Sequence, residues 1–438
     1  MERQVIQALI DWKNSPKRKP LIIQGARQVG KTWLMKEFGK KNFQQIAYIN
    51  FESSHALKSL FEQDFDIQRI INAIQIETGV QVGEGNTLII FDEIQEALGA
   101  ITSLKYFQEN APDYHVLAAG SLLGVALHQH MSFPVGKVDF LNLYPLSFKE
   151  FIQAKEQTDM LELLISMDWQ GIKLFKSKFK ELLRQYYFVG GMPEVVSTFI
   201  DSNDLTKVRN TQKQILNAYE MDFSKHAPTS IVPRIRLLWN SIPSQLAKEN
   251  KKFIYKAVKS GARAKDYELA LAWLIDSGLA NKIPKVSKPG IPLKAYEDFS
   301  AFKLFLVDIG LLGAMGNIDA RTLLEGNKVF EEFKGAMAEQ YVLQQLQCES
   351  EIGIYYWSAV RSKAEIDFLV QIASEVIPIE VKAEENLQAK SLKSFYQKYA
   401  PKMSIRTSMS DFRKDDWLIN LPLYGISELG KVVDQTSS

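Results

Sequence analysis

The chain has 438 residues, with 53 lysines and arginines against 51 aspartates and glutamates, a net charge of +2, and 46% hydrophobic and 24% charged residues. Such a length accommodates about two to four ordinary domains, each with its own core, and the composition excludes a disordered or fibrous chain. The near balance of charge excludes any argument for a polyanionic partner from composition alone; a nucleic-acid surface has to come from local clustering.

The single cysteine, Cys348, excludes an intramolecular disulfide and a Cys-rich zinc site, reads as a small core residue and suits a reducing compartment. The opening MERQVIQALIDWKNSPKRKP reads as an amphipathic helix and a basic turn, without the continuous apolar core of a signal peptide. No run of about 18 apolar residues follows, so the expectation is a soluble cytoplasmic protein without a membrane partner.

Residues 1–145 alternate short apolar runs (PLIIQG, QIAYINF, TLIIFDE, YHVLAAGS, VDFLNLYPL) with helical stretches. That alternation predicts an α/β domain with a helix-covered parallel sheet. Residues 146–240 turn helical, with a break at Gly190 to Pro193, and read as a lid or connector. Residues 241–318 run helix, helix, strand, Pro/Gly-rich turn, strand, the order of a winged helix. Residues 319–438 run helix, strands, helix and a last strand region. No internal repeat or low-complexity tract interrupts this order.

Within PLIIQGARQVGKTWLMKEF, the residues Gly25, Ala26, Arg27, Gln28, Val29, Gly30, Lys31 and Thr32, followed by Trp33, show the G-x-x-x-x-G-K-[ST] spacing between a strand and a helix. Glycines let the backbone wrap phosphate oxygens, and the loop N–H groups with the helix N-terminus supply positive potential. Lys31 neutralises the β- and γ-phosphates, and the Thr32 hydroxyl reaches magnesium. The apolar strand TLIIFDE ends in Asp92 and Glu93, beside the phosphate loop if the sheet is parallel. Asp92 is then a magnesium ligand, and Glu93 the group that orients or polarises the attacking water. Ser121 ends the next strand, where it can sense the γ-phosphate or cap a helix. His128 and His130, without an acidic or Cys companion, read as surface or packing residues rather than metal ligands. ATP and Mg2+ are the cofactors implied.

In this order, GARQVGKT, LIIFDE, AAGSLLGV, YPLSFKEF and FVGGMPEVV resemble the bacterial and archaeal AAA-type P-loop ATPases that carry a C-terminal domain of unknown function. The resemblance extends over essentially the whole chain. Many members carry Gly-Arg before PLSFxEF, where an arginine reaches a phosphate; this chain has Gly136-Lys137, which supplies charge without the planar fork.

In the winged-helix segment, residues 248–265 hold seven basic residues against one acidic residue, a local electrostatic footprint. Lys251, Lys252, Lys256, Lys259, Arg263 and Lys265 are the candidate phosphate contacts. Tyr267, Leu269, Leu271, Trp273, Leu274 and Ile275 form a mostly apolar helix expected to pack inward.

Near the C-terminus, Asp367 precedes Glu380-Val381-Lys382 on neighbouring predicted strands. Period-two alternation puts Glu380 and Lys382 on one face beside Asp367. This resembles the PD-(D/E)XK nucleases, whose restriction-endonuclease-like α/β fold implies carboxylates holding magnesium and a lysine acting on the attacking water. Glu339, on the preceding helix, is the additional acid. The resemblance therefore implies Asp367, Glu380 and Lys382 as catalytic, and Glu339, Asp367 and Glu380 as metal ligands, or the same fold kept as a binding platform.

The leading reading is a magnesium-dependent ATPase whose cycle controls the conformation of a winged-helix and nuclease-like C-terminal region. The alternatives are an ATP-controlled DNA or RNA nuclease and a nucleotide-gated protein-interaction switch. DNA, another protein and a further copy of the chain are the partners left open beside ATP.

Overall fold

The computed structural model describes residues 1–126, 133–248, 251–322, 331–349, 352–359, 364–372, 374–385 and 388–437. His128 and His130 lie outside the described residues. The chain forms two compact units, residues 2–144 with 276–279, and residue 1 with 145–275 and 280–438. Among the described residues, no helix is long and apolar enough to cross a membrane.

The unit formed by residues 2–144 holds five strands: β1 (Leu21–Gln24), β2 (Gln45–Asn50), β3 (Thr87–Asp92), β4 (His115–Gly120) and β5 (Asp139–Asn142). Each apolar run of the sequence is one of them. All pair in parallel, in the spatial order β2-β3-β4-β1-β5. Every residue of β3 and β4 is buried, as parallel strands covered on both faces must be, which explains why they read as unbroken Leu, Ile, Val and Ala rather than as alternation. Phe51, Phe61, Phe91 and Phe107 pack edge to face in the core of this unit.

Because β4 lies between β1 and β3, the C-terminal ends of three adjacent strands open onto one edge. Gly25 and Ser121 follow β1 and β4, and Asp92 and Glu93 stand at the end of β3, so the topology alone gathers the candidate nucleotide residues at one edge of the sheet.

The other unit contains helices from residue 145 onward and an eight-stranded mixed sheet. Its strands are β6 (Ala280–Val286), β7 (Glu297–Leu306), β8 (Ile354–Ser358), β9 (Glu365–Ile372), β10 (Glu375–Val381), β11 (Ser404–Ser408), β12 (Arg413–Lys414) and β13 (Leu418–Pro422). They lie in the order β12-β13-β11-β10-β9-β8-β6-β7. The β6–β7 hairpin, read from the sequence as a wing, continues this sheet: β6 pairs with β8 through Lys285 opposite Tyr356 and Val286 opposite Trp357. The helix Glu331–Glu349, then β8, β9 and β10, the helix Lys390–Tyr399 and β11 follow in the order read from the sequence.

Two motifs of the helical part have local causes. Ser147 and Glu150 of PLSFKEF form a capping box at the start of the helix Phe148–Ala154, each side chain taking a backbone N–H of the other. In FVGGMPEVV, Pro193 occupies the first turn of the helix Pro193–Ser202. The backbone N–H of Gly191 donates to Asp308 Oδ2 at 2.6 Å. Asp308 is fully buried and also caps the helix Ile309–Met315 by accepting from the N–H of Leu311 at 3.0 Å.

Candidate functional site

The phosphate loop leaves β1 at Gly25, whose φ of 150° and surroundings admit no side chain. A Cβ there would stand 2.1 Å from the carbonyl oxygen of Leu143. Gln28 and Gly30 take left-handed conformations, φ 65° and 95°, before the helix Lys31–Asn42 begins. Ala26 and Val29 are buried, Arg27 is half-buried, Gln28 is exposed, and Trp33 is 44% exposed.

Lys31 is buried, and its ammonium donates to the carbonyls of Gly25 at 2.9 Å and Ala26 at 2.8 Å. Burial pulls its pKa down to about 8, against the opposing pull of Glu93 and Asp92 and with a further push from Arg27. An anion bound at the loop would favour the charged form of this buried lysine and raise its pKa again.

Asp92, at the end of β3, accepts from Thr32 Oγ1 at 2.7 Å and from the Tyr48 hydroxyl at 2.9 Å, both on Oδ2. Desolvation and the neighbouring Asp92 carboxylate raise the Tyr48 phenol well above its ordinary value, so it remains a donor. Thr32 and Asp92 thus offer adjacent oxygens at the loop, the kind of partial ligand set that suffices for magnesium completed by phosphate and water.

Glu93 stands in the left-handed region, φ 49°, a conformation uncommon for a residue with a side chain. Its Oε2 accepts from Gln95 Nε2 at 2.6 Å and from Ser121 Oγ at 3.3 Å. The three-strand edge therefore brings together Lys31, Thr32, Asp92, Glu93 and Ser121 as the sequence reading expects. Lys137, in contrast, is engaged with Glu109 at 2.9 Å.

Three residues escape the sequence reading. Tyr48 and Gln95 fix the two carboxylates. Buried Arg3 donates to the carbonyls of Val29 at 3.0 Å and Tyr144 at 2.6 Å, fastening the loop to the segment that follows β5. Gln95 lies two residues beyond Glu93 and is legible as a local partner; nothing in the sequence near Arg3 points 26 residues ahead to Val29.

The basic stretch is divided by the fold. Lys252, Lys256, Lys259, Arg263 and Lys265 are exposed, but Lys251 turns inward and pairs with Glu339, so it is not the phosphate contact expected of it. Tyr267, Leu271, Trp273 and Leu274 are buried as expected, whereas Leu269 is 70% exposed.

In the C-terminal sheet, Asp367 on β9 and Glu380 on β10 are neighbours, with Asp367 Oδ2 accepting from the N–H of Val381 at 2.8 Å. Lys382 pairs with Glu380 at 2.8 Å. Glu339 is buried between Lys251 and Lys303, the latter at 3.3 Å. Lys303, on β7 and fully buried, also reaches Glu365 at 2.6 Å and Asp367 at 3.8 Å. Burial and the adjacent Glu339 carboxylate raise the Asp367 pKa, while Glu339, despite its burial, is held low by the two lysines. Among the described residues, no three His, Cys, Asp or Glu side chains are grouped so as to hold a metal ion. The carboxylates expected to converge on a metal are each matched to a lysine instead.

Residues 17–152 match the family model described as AAA domain. Residues 180–322 and 334–424 match two families described as domains of unknown function, DUF8612 and DUF4143. No curated protein matches the chain. Among solved structures, the chain is similar to the Walker-type ATPase PABY2304 of Pyrococcus abyssi, at 12% identity and TM-score 0.44 over 72% of this chain and 95% of that one. It is also similar to the Aeropyrum pernix ORC1 protein in complex with DNA, at 10% identity and TM-score 0.28 over 72% and 91% of the two chains. A third similarity, to protein VC1899 from Vibrio cholerae, covers 100% and 96% at 12% identity and TM-score 0.18. The N-terminal part of the chain is thus similar to the AAA domain family, and two segments that match families of unknown function follow it.

Proposed function

We propose that the protein binds Mg2+-ATP at the phosphate loop and hydrolyses it, and that this cycle controls the C-terminal part of the chain. The observation that carries the first half is the junction of Lys31, Thr32, Asp92 and Glu93 at the ends of β1 and β3, with Asp92 Oδ2 2.7 Å from Thr32 Oγ1. Backbone N–H groups of residues 26–30 and the Lys31 ammonium bind the phosphates. Thr32 and Asp92 hold the magnesium ion, which when bound neutralises part of the phosphate charge. Glu93, fixed by Gln95 and assisted by Ser121, orients and polarises the attacking water.

Control of the C-terminal part is supported by chain connectivity. Residues 276–279, between the helix Ala264–Asp276 and β6, belong to the nucleotide-binding unit. A Cβ on Gly278 would lie 3.0 Å from the backbone nitrogen of Ala26 in the phosphate loop. A loop that moves on hydrolysis thus has a covalent route into β6. For a nucleic-acid partner the support is the exposed Lys252, Lys256, Lys259, Arg263 and Lys265, and retention on DNA that falls with salt is the corresponding measurement.

The test of the nucleotide site is Lys31→Ala with a fluorescent ATP analogue and magnesium. The variant should lose nucleotide binding; normal binding and turnover would defeat the assignment.

A further inference from the structure

A carboxylate cluster on a strand pair, with an acid from the preceding helix, suggests a divalent-metal site by residue type. The contacts suggest something else. The Lys303 ammonium lies among Glu339 at 3.3 Å, Glu365 at 2.6 Å and Asp367 at 3.8 Å, and no part of Lys303 is exposed. Its ammonium also stands 5.1 Å from the centroid of the Tyr356 ring, on β8. Lys303 on β7 thus meets acids on β9, although β6 and β8 lie between these two strands in the sheet order.

Glu365 and Asp367 are two residues apart on one strand and so share the face that Lys303 occupies. From the helix side, Glu339 presents its other oxygen to Lys251. Two ammonium groups thus serve three acids. A fully buried lysine persists only where such partners compensate its desolvation, and removing it leaves buried carboxylates without a counter-charge. Magnesium or manganese would have to enter beside two fixed positive charges and displace one of them from oxygens it already uses. The ion does not fit the cluster as it is built.

We infer that Lys303 is an internal cation that takes the place of a divalent metal among Glu339, Glu365 and Asp367, so that this cluster is complete without one. The inference is independent of the nucleotide site. It also assigns a role to Lys251, the one described lysine of the basic stretch that turns inward to Glu339.

The test uses the full chain carrying Asp92→Asn, without nucleotide, so that the phosphate loop contributes no ligand pair. Manganese binding is followed by electron paramagnetic resonance of the free ion. With Lys303 intact, no stoichiometric Mn2+ should bind. Adding Lys303→Met should create a site for one Mn2+ per chain, lost again when Asp367→Asn is introduced. Stoichiometric Mn2+ binding with Lys303 in place, abolished by Asp367→Asn, would overturn the inference. So would a folded Lys303→Met protein, judged by circular dichroism, that gains no Mn2+. If Lys303→Met does not fold, Mn2+ binding compared with and without Asp367→Asn, both with Lys303 intact, still decides.

Discussion

Raising the pH from 7 to 9 should weaken Mg2+-ATP binding about tenfold, through Lys31. Its buried ammonium has a pKa of about 8, lowered chiefly by desolvation. At pH 7 roughly nine tenths of the molecules carry the charge, and at pH 9 roughly one tenth. Phosphate oxygens raise the pKa of a lysine they contact, so binding above pH 8 takes up a proton, and affinity falls as pH rises. Folding has the opposite dependence on this group. The unfolded lysine binds its proton more tightly than the folded one, so its contribution to stability improves between pH 8 and 10.5, and unfolding does not explain the loss of affinity. Calorimetry in two buffers of different ionisation enthalpy would count the proton directly, and Lys31→Arg, whose guanidinium stays charged, should show a flat affinity ratio between the two pH values. Equal wild-type affinity at pH 7 and 9 with no proton uptake would refute the reasoning.

Arg3→Ala removes two charged donors from the carbonyls of Val29 and Tyr144 and should cost about 2 kcal/mol, read as a lower unfolding midpoint and a weaker ATP affinity. An unchanged affinity would mean that the loop is held without Arg3. Asp308→Ala leaves the N–H groups of Gly191 and Leu311 without their buried acceptor and should destabilise the protein by on the order of 3 kcal/mol in thermal unfolding. A midpoint equal to that of the wild type would contradict its role as the link between the GGMP break and the following helix.

The N-terminal unit, with its proposed nucleotide site, is largely legible in the sequence because its information is local. A glycine loop after an apolar run, and a second apolar run ending in two acids, each carry their meaning within a few residues, and parallel topology brings the strand ends together. Arg3 is not legible: its partner carbonyls are 26 and 141 residues away and are backbone atoms, which leave no sequence trace. The C-terminal half shows the same limit more sharply. Period-two alternation puts Asp367 beside the strand that carries Glu380, where Asp367 Oδ2 accepts from the N–H of Val381. It says nothing of Lys303, which sits in the apolar run AFKLFL of β7 and meets the acids only because the β6–β7 hairpin joins the same sheet. A lysine inside a strand that otherwise reads as buried is the available signal, since lysine is almost never fully buried without a partner. Lys251 departs from its expected place for a related reason: a run of basic residues looks solvated as a whole, while the fold turns one member inward.

Central to the proposed function is Glu93, the residue that acts on water at an ATP site built by Lys31, Thr32 and Asp92. Glu93→Gln keeps the shape of the side chain and its place beside Gln95 and Ser121 while removing the carboxylate. Magnesium-dependent phosphate release and equilibrium binding of ATP should therefore be measured on this variant together. The expected result is ATP affinity within a few-fold of the wild type with turnover reduced by about 10²–10⁴. Turnover equal to that of the wild type, at undiminished affinity, would contradict the assignment of the site.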